Sequence, residues 1–220
     1  MTRKPKPVLE IPPSPKLTFE RKLWEDKKQW IAGLDEAGRG AWAGPVVAAV
    51  VILPQVANLE QNLLGVRDSK QMNVHQREYW ADIIKEHAQA WGIGSAVHSE
   101  IDQMGILPAT RLAMQRALEQ LSTSPDHLLI DALLLPNLNT PQTALIKGDQ
   151  RCLSIAAASI LAKTTRDALM RQEDDYYPLY GFSRHKGYGT RIHQRALTEN
   201  GPCPIHRMSF RPLRELPTIS

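Results

Sequence analysis

The chain has 220 residues, 42% of them hydrophobic, and a formal net charge of +4 at neutral pH. That length allows one substantial domain, or a domain with an appendage, and the composition is ordinary for a globular protein. The longest unbroken apolar run, Val46 to Leu53, is far too short to span a bilayer, so no membrane association is expected. No charged start followed by an apolar core and a cleavage site is present, which argues against a secretory leader. Cys152 and Cys203 match no zinc or redox spacing and read as free thiols in a reducing compartment, with the cytoplasm as the expected location.

In chain order, residues 1 to about 20 hold five of the sixteen prolines and little periodicity, and read as a disordered extension outside the fold. Trp30–Leu34 and Pro45–Leu53 read as buried strands joined by a glycine-bearing turn. A polar loop, Val66-Arg67-Asp68-Ser69-Lys70, precedes a helix from about Val74 to Ala90 with Tyr79, Ile83 and His87 on one face. Trp91–His98 reads as a strand. Ser99 is expected to cap a helix running to Gln120, kinked or split at Pro108. His127–Ile130 is a short strand ending in Asp131, and Thr143–Lys147 another ending at Gly148-Asp149. The longest helix is expected over about Cys152–Asp175, and a further one around Thr190–Asn200. Strands alternating with helices indicate an α/β fold with a mixed sheet.

Charge is unevenly distributed along this order. Residues 1–28 hold eight Lys or Arg against four acids, and residues 184–214 hold seven against Glu199 alone, so the middle is acidic. Basic flanks around an acidic centre suit a polyanion held over a site that needs cations, although a charge run also serves as a solvated face.

Asp35 with Glu36, Asp131 and Asp149 all fall at predicted strand ends, where loops of an α/β sheet converge. Four gathered carboxylates repel one another unless cations sit among them, and oxygen-only ligation points to Mg²⁺ or Mn²⁺. Two such ions about 4 Å apart are a recurring device for phosphodiester cleavage. Because neighbouring strand residues point to opposite faces, Asp35 and Glu36 share a site only if the strand ends or bulges there; Gly38 and Gly40 would permit that. Arg39 between two glycines lets backbone amides approach a sugar or phosphate. Ser69 and Lys70 offer a hydroxyl and a charge, and Ser159 and Lys163 share a helix face. Tyr188, in Gly187-Tyr188-Gly189-Thr190, suits stacking on a sugar or base. His185, His193 and His206 lack metal-ligand spacing, and Asp167, four residues after Lys163, reads as a helix salt bridge rather than a fifth ligand.

The ordered set of these motifs resembles the ribonuclease HII family: D-E-A-G-R-G-x-x-A-G-P-V-V-A-A at 35–49, D-S-K at 68–70, I-D at 130–131 and K-G-D at 147–149. S-I-A-A-A-S-I-L-A-K at 154–163, T-R-D at 165–167, K-G-Y-G-T-x-x-H at 186–193 and G-P-x-P-I-H-R-x-S-F at 201–210 continue it, from about Ile31 to Phe210. The resemblance implies an RNase H-like fold over residues 29–183, with a mixed central sheet flanked by helices. A basic helical and loop region at 184–220 would pack on it, and a basic, proline-rich extension at 1–28 would precede it. That extension is too short for the DNA-binding domain expected of the sister type, ribonuclease HIII.

The resemblance further implies endonucleolytic cleavage of the RNA strand in RNA–DNA hybrids and incision 5′ to single ribonucleotides in duplex DNA. Products would carry 3′-hydroxyl and 5′-phosphate ends, as ribonucleotide excision repair requires. Asp35, Glu36, Asp131 and Asp149 would bind two metal ions. Gly38, Arg39 and Gly40 would read the ribose 2′-hydroxyl, Tyr188 would stack on the following sugar, and Ser69, Lys70 and Lys163 would contact phosphates. Two positions depart from the usual pattern: Ala41-Trp42 replace Pro-Leu, and Cys152 stands where a serine is frequent. A monomer is expected. The competing readings are a DNA nuclease of the same superfamily, which leaves Gly38-Arg39-Gly40 and Tyr188 without a special role, and a nucleic-acid-binding module without catalysis, which would tolerate loss of one of the four acids.

Overall fold

The apolar, β-branched runs of the sequence pair into one mixed sheet in the computed structural model, which describes residues 11–215. The strands are β1 (Ile31–Ala37), β2 (Val46–Ile52), β3 (Ala90–Ala96), β4 (His127–Asp131) and β5 (Gln142–Leu145). Their spatial order is β3-β2-β1-β4-β5. β1, β2 and β3 form an antiparallel meander, while β4 joins β1 and β5 joins β4 in parallel. β2 is buried along its whole length because both sheet faces are covered.

Among the described residues eight α-helices accompany the sheet: α1 (Thr18–Glu25), α2 (Leu59–Asn62), α3 (Val74–His87), α4 (His98–Met104), α5 (Ile106–Glu119), α6 (Leu153–Tyr176), α7 (Phe182–His185) and α8 (Arg191–Asn200). On one face Ala32, Leu34, Val46, Ala48 and Val50 pack against Ala109, Ala113, Met114 and Ala117 of α5. On the other, Ala49 and Val51 meet the small-residue start of α6, with α3 behind it. Small side chains let that helix lie close to the sheet, and a close-packed core follows.

Four expectations change. The helix after β3 breaks at Gly105, whose φ of 83° is left-handed, and not at Pro108. Pro108 sits in the first turn of α5, where its missing N–H costs little. Ser99 is inside α4 rather than at its cap. The buried face of α3 is Arg77, Ala81 and Ile84, leaving Tyr79 60% exposed. The extension does not stay outside the fold over residues 16–25: Leu17 and Glu20 are buried, Lys16 bridges Cys152, and Glu20 accepts from the Ser154 amide at 2.8 Å. Residues 1–10 lie outside the described residues.

The C-terminal region packs on the same core. Phe182, Ala196, Leu197, Ile205 and Leu213 cluster with Ala43 and Met170. Both cysteines are free thiols, and no described helix is long and apolar enough to cross a membrane.

Candidate active site

Asp35 and Glu36 both lie within β1, whose pairing with β2 runs on regularly through Asp35↔Ala49 and Glu36↔Ala48 to Ala37↔Val47. The strand neither bulges nor stops at the acids, so the two side chains leave opposite faces. Asp35 Oδ1 accepts from the Glu36 amide at 2.7 Å, and Glu36 Oε1 accepts from Arg39 Nη1 at 3.1 Å. Both reach one cleft of about 660 Å³ because β1 ends one residue later and the cleft wraps that end of the sheet.

Asp131 closes β4 and lines the same cleft, its Oδ1 held by the Gly148 amide at 2.7 Å. Asp149 stands on a 3₁₀ turn, Gly148–Gln150, between β5 and α6, and not at the end of a strand. It is 4% exposed and lies behind the cleft wall, 3.3 Å from Lys70 Nζ. β5 stops at Leu145, and Lys147 turns the chain with a left-handed φ of 54°.

These carboxylates feel one another. Burial, then Glu36 and Asp131, raise the pKa of Asp35 well above the usual carboxylate range. Burial raises Glu36 against the pull of Arg39, and burial and Asp149 raise Asp131 against the bond from Gly148. Burial opposes the Lys70 ammonium, yet Asp149, Asp68 and Asp35 hold its pKa above its ordinary value. Among the described residues no three acidic, histidine or cysteine side chains converge as a ready-made metal cage. The acids form an open set instead, as mutual repulsion requires, with Arg39 and Lys70 between them.

The donor chemistry nevertheless fits a hard divalent cation. All the donors are oxygens, Glu36 Oε2 is buried without a partner among the described residues, and each raised pKa records a cost that added positive charge would remove.

Every other predicted contact residue lines this cleft: Gly38, Arg39, Gly40, Ser69, Lys70, Lys163 and Tyr188. Ser69 Oγ and Ser159 Oγ are 3.0 Å apart. Lys163 Nζ donates to Asp167 at 2.7 Å, and Arg77 reaches the same carboxylate at 3.1 Å, so Asp167 is the salt-bridge partner expected of it. The Tyr188 ring lies beneath two cations, Lys163 Nζ at 5.6 Å and the Arg166 guanidinium at 5.4 Å.

Sequence reasoning missed the two arginines that hold the turn after β1. Arg166 is fully buried and donates to the carbonyls of Pro45, Ala43 and Lys186. Arg207, also fully buried, donates to Gly44 O at 2.9 Å and Arg39 O at 3.0 Å. Gly38, at φ 95°, leaves room for Arg166, since a Cβ there would collide with its Nε. The T-R-D and I-H-R motifs were the available signal. Arg184, which also lines the cleft, was visible only as part of the basic flank, and Arg77 carried no signal.

The family model described as Ribonuclease HII matches residues 32–212, nearly the whole of this architecture. The chain belongs to the ribonuclease HII family. Its relatives include the ribonuclease HII of Chloroflexus aurantiacus, 52% identical over 91% of this chain and 95% of the relative. That of a Synechococcus strain is 55% identical over 92% and 90%. Among solved structures, the ribonuclease H2 of Pyrococcus horikoshii superposes with a TM-score of 0.70 at 26% identity, covering 84% of this chain and 96% of that one. Bst-RNase HIII, described in complex with Mn²⁺, shares the fold with a TM-score of 0.66 at 21% identity, covering 86% of this chain and 69% of that one. As a ribonuclease HII this chain is a nuclease, and the family is metal-dependent.

Proposed function

We propose that this ribonuclease HII cleaves the RNA strand of RNA–DNA hybrids and incises 5′ to single ribonucleotides embedded in duplex DNA, leaving 3′-hydroxyl and 5′-phosphate ends. The observation that carries the reading is one cleft lined by Asp35, Glu36 and Asp131, with Asp149 behind, the Gly38-Arg39-Gly40 turn and the Tyr188 ring. Acids alone suit many phosphodiesterases; the turn and the ring supply a reason for a ribose at the cut.

Asp35, Glu36, Asp131 and Asp149 would hold two Mg²⁺ or Mn²⁺ ions, which supply activation of a water and stabilisation of the leaving oxygen. The chain's own residues do the rest. Lys70 and Lys163 neutralise phosphate, and Asp167 keeps the Lys163 ammonium in place. Ser69 and Ser159, bonded to each other, orient hydroxyls at the floor. The turn presents backbone amides to a 2′-hydroxyl; a Cβ at Gly40 would meet nothing within 4 Å, leaving space for a sugar. Tyr188 stacks on the sugar that follows, stiffened by Lys163 and Arg166 over its ring.

The test is a labelled duplex with one ribonucleotide, incubated with the protein and Mg²⁺. A single cut 5′ to the ribonucleotide is expected, together with cleavage of a long hybrid. Equal cutting of an all-DNA control would instead favour a DNA nuclease, and no cutting a binding module. Asp131→Asn should keep the fold and duplex binding while losing turnover by about 100-fold or more, the scale for removing an electrostatic catalytic group. Normal turnover in that variant would contradict the assignment of Asp131.

A further inference from the structure

Trp42 follows the Gly38-Arg39-Gly40 turn by two residues in the chain and packs on the Tyr188 loop. Its amide donates to Gly187 O at 2.8 Å, and its carbonyl accepts from the Arg207 amide at 2.8 Å. The indole covers Gly189 so closely that a Cβ there would collide with the ring. It also lies 5.5 Å from the His193 ring, and His193 Nδ1 is 3.1 Å from the carbonyl of Tyr188. Tyr188 is therefore flanked by two glycines, one bonded to Trp42 through the backbone and the other pressed by its side chain.

We propose that Trp42 is a positioning residue that locks the Tyr188 loop to the Gly38-Arg39-Gly40 turn, so that ribose sensing and sugar stacking act as one rigid unit. The inference rests on the proposed function. A single ribonucleotide in DNA offers one ribose and one following deoxyribose, so both contacts must be made together at a fixed spacing. A long hybrid offers a ribose at every register, so a loosened spacing costs it less. A misplacement of ~1 Å in a positioning element costs up to about 100-fold in rate. The wedge thus acts on selectivity, and the two backbone bonds survive any side-chain change.

The experiment measures kcat and KM on both substrates for wild type, Trp42→Ala, Trp42→Phe, Tyr188→Ala and the Trp42→Ala/Tyr188→Ala double variant. Trp42→Ala should lower kcat/KM on the embedded ribonucleotide about tenfold more than on the hybrid, and Trp42→Phe should restore much of it, as expected of a packing role. In the Tyr188→Ala background the Trp42→Ala change should add little, because coupled residues are not additive. Gly189→Ala, which pushes the ring out while keeping Trp42, should reproduce the selectivity loss if Trp42→Ala melts too early to assay. Equal losses on both substrates, or additive losses in the double variant, would overturn the inference. If wild type fails to cut the embedded ribonucleotide, the proposed function falls and this inference with it; if wild type cuts and the cycle is additive, only this inference falls.

Discussion

Three histidines, His185, His193 and His206, pack together in the basic C-terminal region, and the hydrogen bonds of two of them select the tautomers of the neutral rings. The carbonyl of Tyr188 can only accept, so His193 Nδ1 carries the proton and Nε2 is bare. His206 Nε2, 2.9 Å away, must then donate, leaving its Nδ1 to accept from the Cys203 amide. Burial lowers both pKa values to about 4 and lowers that of His185 as well. A folded pKa below the unfolded value of 6.5 means the unfolded chain binds more protons. Stability from this pair is therefore complete above pH 6.5 and is lost as pH falls through about 4. Urea unfolding between pH 7.5 and 4.5 should show that decline. The raised carboxylates pull the other way, so the pH slope of His206→Gln subtracted from that of wild type isolates the histidine part; identical slopes would refute it. Sequence gave these residues no such role, because the partners are carbonyls and amides, which every residue possesses.

Among the elements, α6 holds the site together: Ser159, Lys163, Arg166 and Asp167 all project from it. Its second amide is capped by a side chain from another element. Cys152 offers no side-chain cap, and Glu20 of α1 accepts from Ser154 N at 2.8 Å and from Cys152 Sγ at 3.1 Å. Burial raises the Glu20 pKa, and its second oxygen has no partner among the described residues; glutamine keeps the accepting oxygen, while alanine leaves a buried N–H unmet, about 1–3 kcal/mol. Glu20→Ala should thus lower the melting temperature by roughly 2–4 °C per kcal/mol lost, and Glu20→Gln by less. Equal melting of wild type and Glu20→Ala would remove α1 from the account of the site. The extents of β1, β2 and α6 were readable because β-branched runs and small-residue periodicity are local signals. The docking of α1 was not, since a charged residue used as a distant cap looks like any surface glutamate. The face of α3 was misread for a related reason: Arg77 is buried by Asp167 and two carbonyls, contacts that no apolar periodicity records.

At the scale of the molecule, the basic flank found in the sequence becomes part of the cleft, where Arg184 and Lys186 join Lys70 and Lys163. Binding of duplex should weaken with salt as counterions are released, with a slope of about −0.9 per phosphate neutralised. Arg184 is exposed and makes no ion pair among the described residues, so Arg184→Ala should reduce that slope by about one contact. Anisotropy titrations from 50 to 200 mM salt, about the range over which such contacts separate, would read it; an unchanged slope would place Arg184 away from the backbone of the substrate. The same C-terminal region bears on how the protein is made. Arg207 grips Arg39 across 168 residues of sequence, and the Gly44 amide bonds Ile205. Synthesis runs from the N-terminus, so the acids of β1 leave the ribosome long before the residues that shape the turn beside them. A nascent or prematurely terminated chain lacking residues 205–207 has the acids proposed to bind metal but not the Arg207 bond that holds the turn proposed to read ribose. Under the proposed function, selectivity is completed only as the last part of the fold arrives, and a half-made nuclease would not read nucleic acid as the finished one does.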